Sequence, residues 1–328
     1  MNHLNLGFAG FRHDHIFSLY NLAKEKKNVE IVGCFEKNAE GIEKAKSNQI
    51  YINFNSYEEL LADNSIDAIA IGDYYGVRGS MIIKALKAGK HVIADKPLCT
   101  SIEELEIIRS LSKEKNLSVC LMLDLRDNSN VCAALEIVKS GVIGVVSNIR
   151  FNGQHPLNYG VRPSWYFEEG CHGGVINDIA IHGIDLVRLF TGSDVKKVLA
   201  ARCWNFFADK EPNFFDSAQF MLETDSGAGI IADVSYALPN GHGFNLPTYW
   251  EFEICGKNGI ARFGYNSDGV DVYIAGENSV RRYRPISCKK DYLDCFIDDI
   301  TNDRIYTKEF LKSTEQTLLI QKFADMQD

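Results

Sequence analysis

The sequence predicts an α/β protein of two domains, a parallel sheet covered by helices followed by an α+β domain with a large, mainly antiparallel sheet. Two patterns predict this class. Short apolar runs alternate with amphipathic runs over the first ~120 residues, as in βαβ units, and beyond that point apolar runs follow one another without intervening helices. The length of 328 residues also suits about two domains. We place the domains at 1–123 and 124–328.

The first domain is predicted from its alternating runs. Its last helix starts with a capping box, in which Ser101 precedes the helix and Glu104 follows three residues later. The apolar runs predict strands at 4–10, 29–36, 66–73, 91–97 and 117–123, and the amphipathic runs predict helices at 15–26, 39–48, 78–90 and 101–116.

The second domain is predicted to contain one long inner helix, 173–191, and helices at its two ends, 128–140 and 291–325. The segment "TDSGAG" (224–229) is typical of a hairpin turn between two strands. The strands of this domain are predicted at 145–152, 195–204, 215–223, 228–237, 249–255 and 259–265.

Composition excludes several classes of function. A formal charge of −9 argues against a surface for nucleic acid or for an anionic membrane. Apolar runs are far shorter than the ~18 residues that a membrane helix needs. The start, "MNH", has no basic stretch of the kind that opens a secretory signal. Nine scattered cysteines without a CxxC pair predict reduced thiols, and we expect a cytoplasmic protein.

The turn after the first strand is a degenerate version of the dinucleotide-binding motif G-x-G-x-x-G. In residues 10–15, "GFRHDH", Gly10 is kept, while Arg12 and His15 replace the second and third glycines. A register that starts at Gly7 leaves too short a strand. Arg12 lies where amides and a helix start would meet an anion, so it either contacts phosphate or ribose or is a solvated turn residue. The adjacent histidines predict capping or phosphate contacts, and we expect no metal.

The residues at two strand ends bear on the cofactor and the substrate. Glu36 ends the second strand, where an acid binds ribose hydroxyls and favours NAD over NADP, whereas Lys37 beside it would suit a 2′-phosphate. Lys96 ends the fourth strand, at the edge of the sheet where ligands bind. There it could donate to a substrate oxygen, although such a lysine is also common at a protein surface.

The helix 173–191 carries Asp178, His182 and Asp185 among apolar residues, although buried ionisable groups are costly unless they are paired. The spacing of four residues puts Asp178 and His182 on one helix face. A histidine titrates near neutral pH and is the favoured base for a hydroxyl proton. The sequence leaves open whether Asp185 orients the helix or pairs with an arginine.

The order of these motifs resembles the glucose–fructose oxidoreductase, inositol dehydrogenase and rhizopine catabolism (Gfo/Idh/MocA) family. "AGKHVIADKPL" (88–98) is similar to the family's A-G-K-H-V-x-x-E-K-P-L, with Asp95 in the place of Glu. "GGVINDIAIHGIDL" (173–186) is similar to its G-G-x-x-x-D-x-x-x-H-x-x-D segment. The resemblance implies a Rossmann domain that binds NAD, followed by an antiparallel α/β domain whose sheet forms an oligomer interface.

The resemblance also implies roles for single residues. Lys96 would bind substrate and assist catalysis, His182 would accept the hydroxyl proton, and Asp178 would position the substrate. The segment "GDYYGVR" (72–78) departs from the family's T-P-N-x-x-H. On this basis we expect these residues at the cofactor: Gly10, Phe11, Arg12, His13, Glu36, Lys37, Asp73, Tyr74, Tyr75, Asp95 and Lys96.

The substrate set combines these catalytic residues with a loop that resembles the family's variable substrate loop, 152–174, and with "LDLRDN" (123–128), whose arginine matches a basic position. His155 and Tyr166 are further candidates. A metal site built on Cys171 and His172 with Asp178 and His182 is disfavoured because its spacing fits no compact zinc pattern. We expect these residues at the substrate: Lys96, Arg126, Arg162, Trp165, Asn177, Asp178 and His182.

These observations predict an NAD-dependent dehydrogenase, with NADP possible, that oxidises a hydroxyl carbon of a sugar, polyol, inositol or related compound. A homo-oligomer, dimer or tetramer, is expected, without nucleic-acid or membrane partners. Two alternatives remain open at this stage. One is a catalytically weak cofactor- or ligand-binding regulator, and the other is an NAD-dependent glycosidase.

Overall fold

The structure is a computed structural model that describes residues 3–326; Met1 and Asn2, on which part of the signal-sequence expectation rests, lie outside the described residues. The chain divides into two compact units. The first comprises Met1–Leu123 and Lys290–Glu315, and the second comprises Asp124–Lys289 and Gln316–Asp328. Within residues 3–326, no helix combines the length and the apolar character that crossing a membrane requires.

The first unit contains a five-stranded, fully parallel sheet with the strand order β2-β1-β3-β4-β5. This confirms the predicted Rossmann-type fold. The strand order reverses between β1 and β3, and ligands bind beyond the carboxyl ends of the strands at such a point. The elements are β1 (Leu4–Ala9), α1 (His15–Glu25), β2 (Val29–Phe35), α2 (Ala39–Ser47), α3 (Tyr57–Ala62), β3 (Ala68–Ile71), α4 (Tyr75–Lys87), β4 (His91–Ala94), α5 (Ile102–Lys115) and β5 (Val119–Leu121).

The second unit contains an eight-stranded sheet with the order β13-β12-β11-β10-β6-β9-β8-β7. Its neighbours pair antiparallel except for β6 and β9, so the mainly antiparallel sheet is confirmed as well. The elements are α6 (Ser129–Lys139), β6 (Val146–Pro156), α7 (Ile181–Thr191), β7 (Val195–Trp204), β8 (Ser217–Thr224), β9 (Gly229–Leu238), β10 (Trp250–Gly256), β11 (Gly259–Gly264), β12 (Val270–Ile274) and β13 (Arg281–Tyr283).

Three short elements were absent from the sequence prediction: α3, β12 and β13. Helix α3 has only six residues, and its start is fixed by Ser56, whose side chain accepts from the amide of Glu59. The strand β13 is three residues long and mostly exposed at the edge of its sheet. Such short elements carry too little periodicity to be recognised without their neighbours.

The C-terminal part of the chain forms α8 (Tyr292–Thr301) and α9 (Ile305–Asp325). The Nζ of Lys26 lies 2.8 Å from Asp291 Oδ2, and the hydroxyl of Thr307 accepts from the Val119 amide at 2.9 Å. Residues 290–315 therefore pack in the first unit, although the sequence analysis assigned them to the second domain. The reason is tertiary, because α8 buries its apolar side against elements far away in the sequence.

Two cysteines do not follow the prediction of reduced thiols. Cys132 and Cys288 form a disulfide across 156 residues of sequence, with their Cα atoms 5.9 Å apart. The other seven cysteines remain thiols. A pairing over this separation leaves no local signal in the sequence.

Candidate active site

The turn after β1 starts at Gly10, whose φ of +84° favours glycine. A Cβ at this position would lie 2.6 Å from the Cβ of Asp73, so the turn packs closely against the residue that follows β3. Gly7 lies inside β1, where a Cβ would meet core side chains at 3.2 Å. The close turn therefore begins at Gly10, at the point where the strand order reverses.

Arg12 is turned toward the protein. Its Nε donates to Asp73 Oδ1 at 2.5 Å, and its guanidinium lies 4.1 Å from the centre of the Tyr74 ring. Asp73 also accepts from the Tyr74 amide at 2.7 Å. Arg12, in the place of the second glycine, is thus held by an ion pair with Asp73 and by stacking on the Tyr74 ring. Its side chain is 17% exposed.

Glu36 is 5% exposed and accepts three backbone amides. The amide of Phe11 donates at 2.6 Å, and those of Lys37 and Asn38 donate at 2.8 Å. Burial raises the pKa of Glu36, and these amides oppose that rise. The carboxylate therefore ties the end of β2 to the turn after β1, while Lys37 is exposed.

His13, His15 and Asp95 form a cluster next to this turn. His13 Nδ1 contacts Asp95, its Nε2 lies 3.0 Å from the Tyr75 hydroxyl, and His15 Nδ1 lies 3.1 Å from Asp95 Oδ1. Burial lowers the pKa of His13 to about 4. The three donor atoms lie within 4.8 Å of one another, a spacing that metal ligands also have. Arg78 also donates to Asp95 Oδ2 at 3.0 Å, so the carboxylate has a permanently charged protein partner.

Lys96 follows β4 and is 3% exposed. The carbonyls of Lys96 and Pro97 both accept from NH1 of Arg78, the latter at 3.1 Å. The sequence analysis missed Arg78. The available signal was the end of "GDYYGVR", where an arginine stands in the place of the family's histidine at the start of an apolar helix.

In the second unit, the predicted helix 173–191 begins with a π turn, Ile176–Ala180, and continues as α7. Gln321 Oε1 accepts the amides of Ile176 at 3.0 Å and Asn177 at 3.4 Å, so a side chain from α9 caps the helix start. Sequence reasoning missed Gln321, because its partners lie about 145 residues away. Asn177 itself is fully buried.

Asp178 lies in the π turn and is 3% exposed. The hydroxyl of Tyr236 donates to its carboxylate, and His172 Nε2 lies 3.4 Å from Asp178 Oδ2 and 2.9 Å from the Tyr236 hydroxyl. Burial raises the pKa of Tyr236 well above 10, and the charge of Asp178 adds to that rise. Tyr236 is therefore a neutral donor at physiological pH.

His182 lies one turn further along, 4% exposed. Its Nδ1 is 3.8 Å from Asp124 Oδ1, and its ring packs edge-on against Trp250 with a centroid distance of 5.9 Å. Asp124, another residue that the sequence analysis missed, keeps 62% of its side chain exposed. One ring nitrogen of His182 thus faces a carboxylate.

Asp185 pairs with Arg126. The Nε and NH2 atoms of the guanidinium each donate to one carboxylate oxygen at 2.6 Å, and Asp185 is fully buried. This bidentate pair answers the question that the sequence left open for Asp185. Arg126, a predicted substrate residue, is engaged in holding α7.

The remaining predicted substrate residues also have protein neighbours. Arg162 donates from Nε to the Leu157 carbonyl at 2.7 Å, and its guanidinium lies 4.3 Å from the Tyr166 ring and 5.0 Å from the Tyr236 ring. Trp165 stacks on Tyr166 with a centroid distance of 4.0 Å. Arg162 therefore borders the Asp178 cluster through Tyr236.

His155 belongs to a separate aromatic group. Its ring lies 5.1 Å from that of Tyr249 and 6.1 Å from that of Trp250, which also packs on His182. Phe244, 49% exposed, lies 5.9 Å from His155. The helix face of His182 is thus bordered by aromatic rings of the second unit.

Both units match models of one protein family. Residues 4–122 match the model described as "Oxidoreductase family, NAD-binding Rossmann fold", and residues 131–262 match the GFO/IDH/MocA C-terminal domain. Together these two ranges cover most of the chain.

Curated relatives include two sugar or cyclitol dehydrogenases. Levoglucosan dehydrogenase from Pseudarthrobacter phenanthrenivorans is 28% identical over 255 residues, which is 70% of this chain and 63% of that protein. Myo-inositol 2-dehydrogenase from Thermotoga maritima is 27% identical over 284 residues, 84% of this chain and 75% of that protein. The chain thus spans less than two thirds of the first of these relatives.

Solved structures share the fold over nearly the whole chain. A putative oxidoreductase from Erwinia carotovora atroseptica has a TM-score of 0.87 at 25% identity and covers 98% of both chains. The levoglucosan dehydrogenase complex with NADH and levoglucosan has a TM-score of 0.79 at 20% identity and covers 99% of this chain and 98% of that one.

Proposed function

This chain belongs to the Gfo/Idh/MocA family of oxidoreductases, and from that premise we propose that it is an NAD-dependent dehydrogenase. Its substrate is a sugar, polyol, inositol or related compound, and hydride passes between a hydroxyl carbon and the nicotinamide ring. Relatives that act on levoglucosan and myo-inositol support this substrate class. NADP remains the second cofactor to test, because Lys37 is exposed beside Glu36.

The cofactor, when bound, supplies the hydride acceptor. The residues that would hold it lie beyond the carboxyl ends of β1 to β4, where Gly10 starts a turn that packs closely against Asp73. The residues present there fit such a group, since the start of α1 provides amides and Arg12 provides a guanidinium that would have to exchange Asp73 for a phosphate.

Lys96 and His182 are proposed as the catalytic pair. Lys96 would donate to the substrate oxygen and stabilise negative charge on it. His182 would accept the hydroxyl proton at Nε2, while its Nδ1 lies 3.8 Å from Asp124 Oδ1. Asp178 would hold a second substrate hydroxyl.

The observation that carries this proposal is that Asp178 and His182, on one buried helix, contact different protein partners. Asp178 is held by Tyr236 and His172, and His182 is held beside Asp124 and Trp250. A purely structural ion pair would join two such groups to each other. Here each has its own partners, as a base and a positioning carboxylate require.

One finding favours a second candidate, a regulator that binds a ligand without efficient turnover. Arg12 is paired with Asp73, and Glu36 is satisfied by three amides, so both expected cofactor contacts are engaged within the protein. Cofactor binding would have to compete with these bonds. Weak affinity for NAD is the expected sign of this alternative.

We further propose a homo-oligomer that assembles through the open face of the eight-stranded sheet. This face contains a cavity of about 680 Å³ across strands β6 to β11. Met221 and Ile231, 46% and 49% exposed, pair across β8 and β9 there. A second copy of the chain would cover these apolar side chains.

The test is an assay of NADH and NADPH formation across a panel of sugars, cyclitols and sugar acids, combined with a fluorescence titration of both reduced cofactors. We expect micromolar binding of NADH and turnover of at least one neutral polyol. Binding without turnover of any panel member would favour the regulator. Absence of binding for both cofactors at millimolar concentration would exclude the dehydrogenase.

A further inference from the structure

Arg78 is the most deeply buried cation next to the proposed cofactor turn. Its side chain is 0% exposed, in the first turn of α4. Arginine is almost never fully buried unless it is paired, because removing its charge from water costs several kcal/mol. The hydrogen-bond partners of Arg78 therefore indicate its role.

The guanidinium joins the carboxyl ends of two neighbouring strands. Nε donates to the carbonyl of Asp73, after β3, at 2.7 Å. NH1 donates to the carbonyls of Lys96 and of Pro97, after β4, the latter at 3.1 Å. Three backbone carbonyls that have no partner strand at this edge are thereby satisfied by one rigid, planar group.

The remaining nitrogen of the guanidinium, NH2, connects Arg78 to the turn after β1 through Asp95. NH2 donates to Asp95 Oδ2 at 3.0 Å, and the same carboxylate contacts His13 and His15. Burial alone would raise the pKa of Asp95, but His13 and the permanent charge of Arg78 hold it well below its usual range. The ring of Tyr75 completes the enclosure, 4.7 Å below the guanidinium and 3.0 Å by its hydroxyl from His13.

The residues that depart from the family pattern thus meet in one buried network. Asp95 stands where the family has Glu, Arg78 where it has His, and His13 and His15 lie in the turn whose glycines are missing. In the sequence these departures suggest a degenerate cofactor site. In the structure Asp95 contacts His13, His15 and Arg78. The shorter acid and the longer cationic side chain contact each other directly, at 3.0 Å.

We propose that Arg78 is a positioning residue for Lys96, fixing the backbone that carries this lysine to the cofactor turn through Asp95 and His13. The inference rests on the proposed function, because it assigns Lys96 a part in the reaction. The proposed role is indirect and requires no contact between Arg78 and substrate or cofactor. Its effect passes through the carbonyls of Lys96 and Pro97.

The first test is a double-mutant cycle with R78K, which keeps the charge and loses the planar fork. We expect R78K to lower kcat about 10²-fold, the typical cost of misplacing a reacting group by 1 Å, with NADH affinity within about threefold of wild type. In the K96A background, R78K should have no further effect on the residual rate. Equal loss in both backgrounds would overturn the proposal.

The matched control is R109K. Arg109 lies on α5 in the same unit and forms ion pairs with Glu106 and Glu315 at a partly exposed site. This variant should keep wild-type kcat and cofactor affinity. If R78K does not fold, D95N replaces it, since it removes the carboxylate that orients the guanidinium and leaves the side-chain volume almost unchanged.

A second measurement does not depend on turnover. Lys96 is 3% exposed, so an amine-acylating reagent should label it slowly in the wild-type protein, as followed by mass spectrometry of its peptide. R78K should label about tenfold faster at Lys96, and R109K should match wild type. Equal labelling in R78K and wild type would overturn the positioning role. If the wild type shows no turnover at all, the proposed function fails, and the labelling rates still test whether Arg78 positions Lys96.

Discussion

At the scale of single residues, the ionisable groups of the candidate site are each held by specific partners. The carboxylate of Asp178 accepts a hydrogen bond from the Tyr236 hydroxyl. Asp185 forms an ion pair with Arg126, and Asp95 forms one with Arg78. Buried charges without such partners would cost several kcal/mol each. The unusual residues of this sequence are therefore integrated into the fold, although some of them also occupy groups that a cofactor would be expected to use.

The Tyr236 hydroxyl is predicted to matter for substrate binding through Asp178. Y236F removes a donor to a buried carboxylate, a bond worth about 1.5–3 kcal/mol. We expect kcat/KM for the best substrate to fall roughly 10- to 100-fold, and NADH affinity to stay unchanged. Y159F is the control, because its hydroxyl bonds to Glu211 at the surface. Wild-type kcat/KM in Y236F would remove Asp178 from the proposed mechanism.

His13 predicts how stability depends on pH. Its pKa is about 4 in the folded protein against about 6.5 when unfolded, so between these values the unfolded chain binds the proton first. Stability should therefore be highest above pH 6.5 and fall as the pH drops toward 4. Urea unfolding of wild type and H13N across this range measures the effect, and H13N should lose less stability. Parallel curves for the two proteins would contradict this prediction.

At the scale of elements, the helix that starts with Ile176–Ala180 depends on its π turn and on two glycines at its ends. Gly174 precedes it with a φ of +96°, and a Cβ there would run into the amide of Gln321, which caps the helix start. Gly192 ends it with a φ of +61°, and nothing lies within 4 Å of its virtual Cβ. The two positions thus share a left-handed backbone and differ in crowding.

This difference gives a prediction for stability. G192A should cost about 1–2 kcal/mol from backbone strain alone. G174A should cost about 2–5 kcal/mol, because the Gln321 amide must also move and release the amides of Ile176 and Asn177. Urea unfolding of both variants measures the difference. Equal destabilisation would mean that Gln321 does not hold the helix start.

The elements that the sequence predicted well are those with a local signal. The strands and most helices of the first unit follow from runs of apolar residues. Ser101 caps α5 by accepting from the Glu104 amide, which is one half of the predicted capping box. The π turn had no such signal. Its register depends on Gln321, about 145 residues away, so a continuous α-helix was the natural expectation.

At the scale of the whole molecule, the sequence indicated the fold class and placed most candidate residues at the ends of the correct elements. It did not reveal Arg78, Tyr236 or Asp124, because their partners are distant in sequence or are backbone carbonyls. It also assigned 290–315 to the second domain, since only tertiary packing places this segment in the first unit. Local sequence patterns thus predict the helices and strands. The residues that hold the candidate catalytic side chains depend on contacts between distant parts of the sequence.

The proposed oligomer gives a prediction at this scale. I231E puts a charge on the open face of the large sheet, where Ile231 is 49% exposed. We expect light scattering to find a dimer or tetramer for wild type and a smaller species for I231E. V145E, at a residue that is 77% exposed elsewhere in the second unit, should match wild type. A monomeric wild type at tens of micromolar would contradict the proposed interface.

The central claim, that Lys96 and His182 serve one dehydrogenation, is tested most directly by the rate of NADH formation at saturating NAD and substrate in wild type, K96A and H182A. We expect each substitution to lower kcat by about 10²–10⁴-fold while the dissociation constant of NADH stays within a few-fold of wild type. Either variant turning over at the wild-type rate would contradict it.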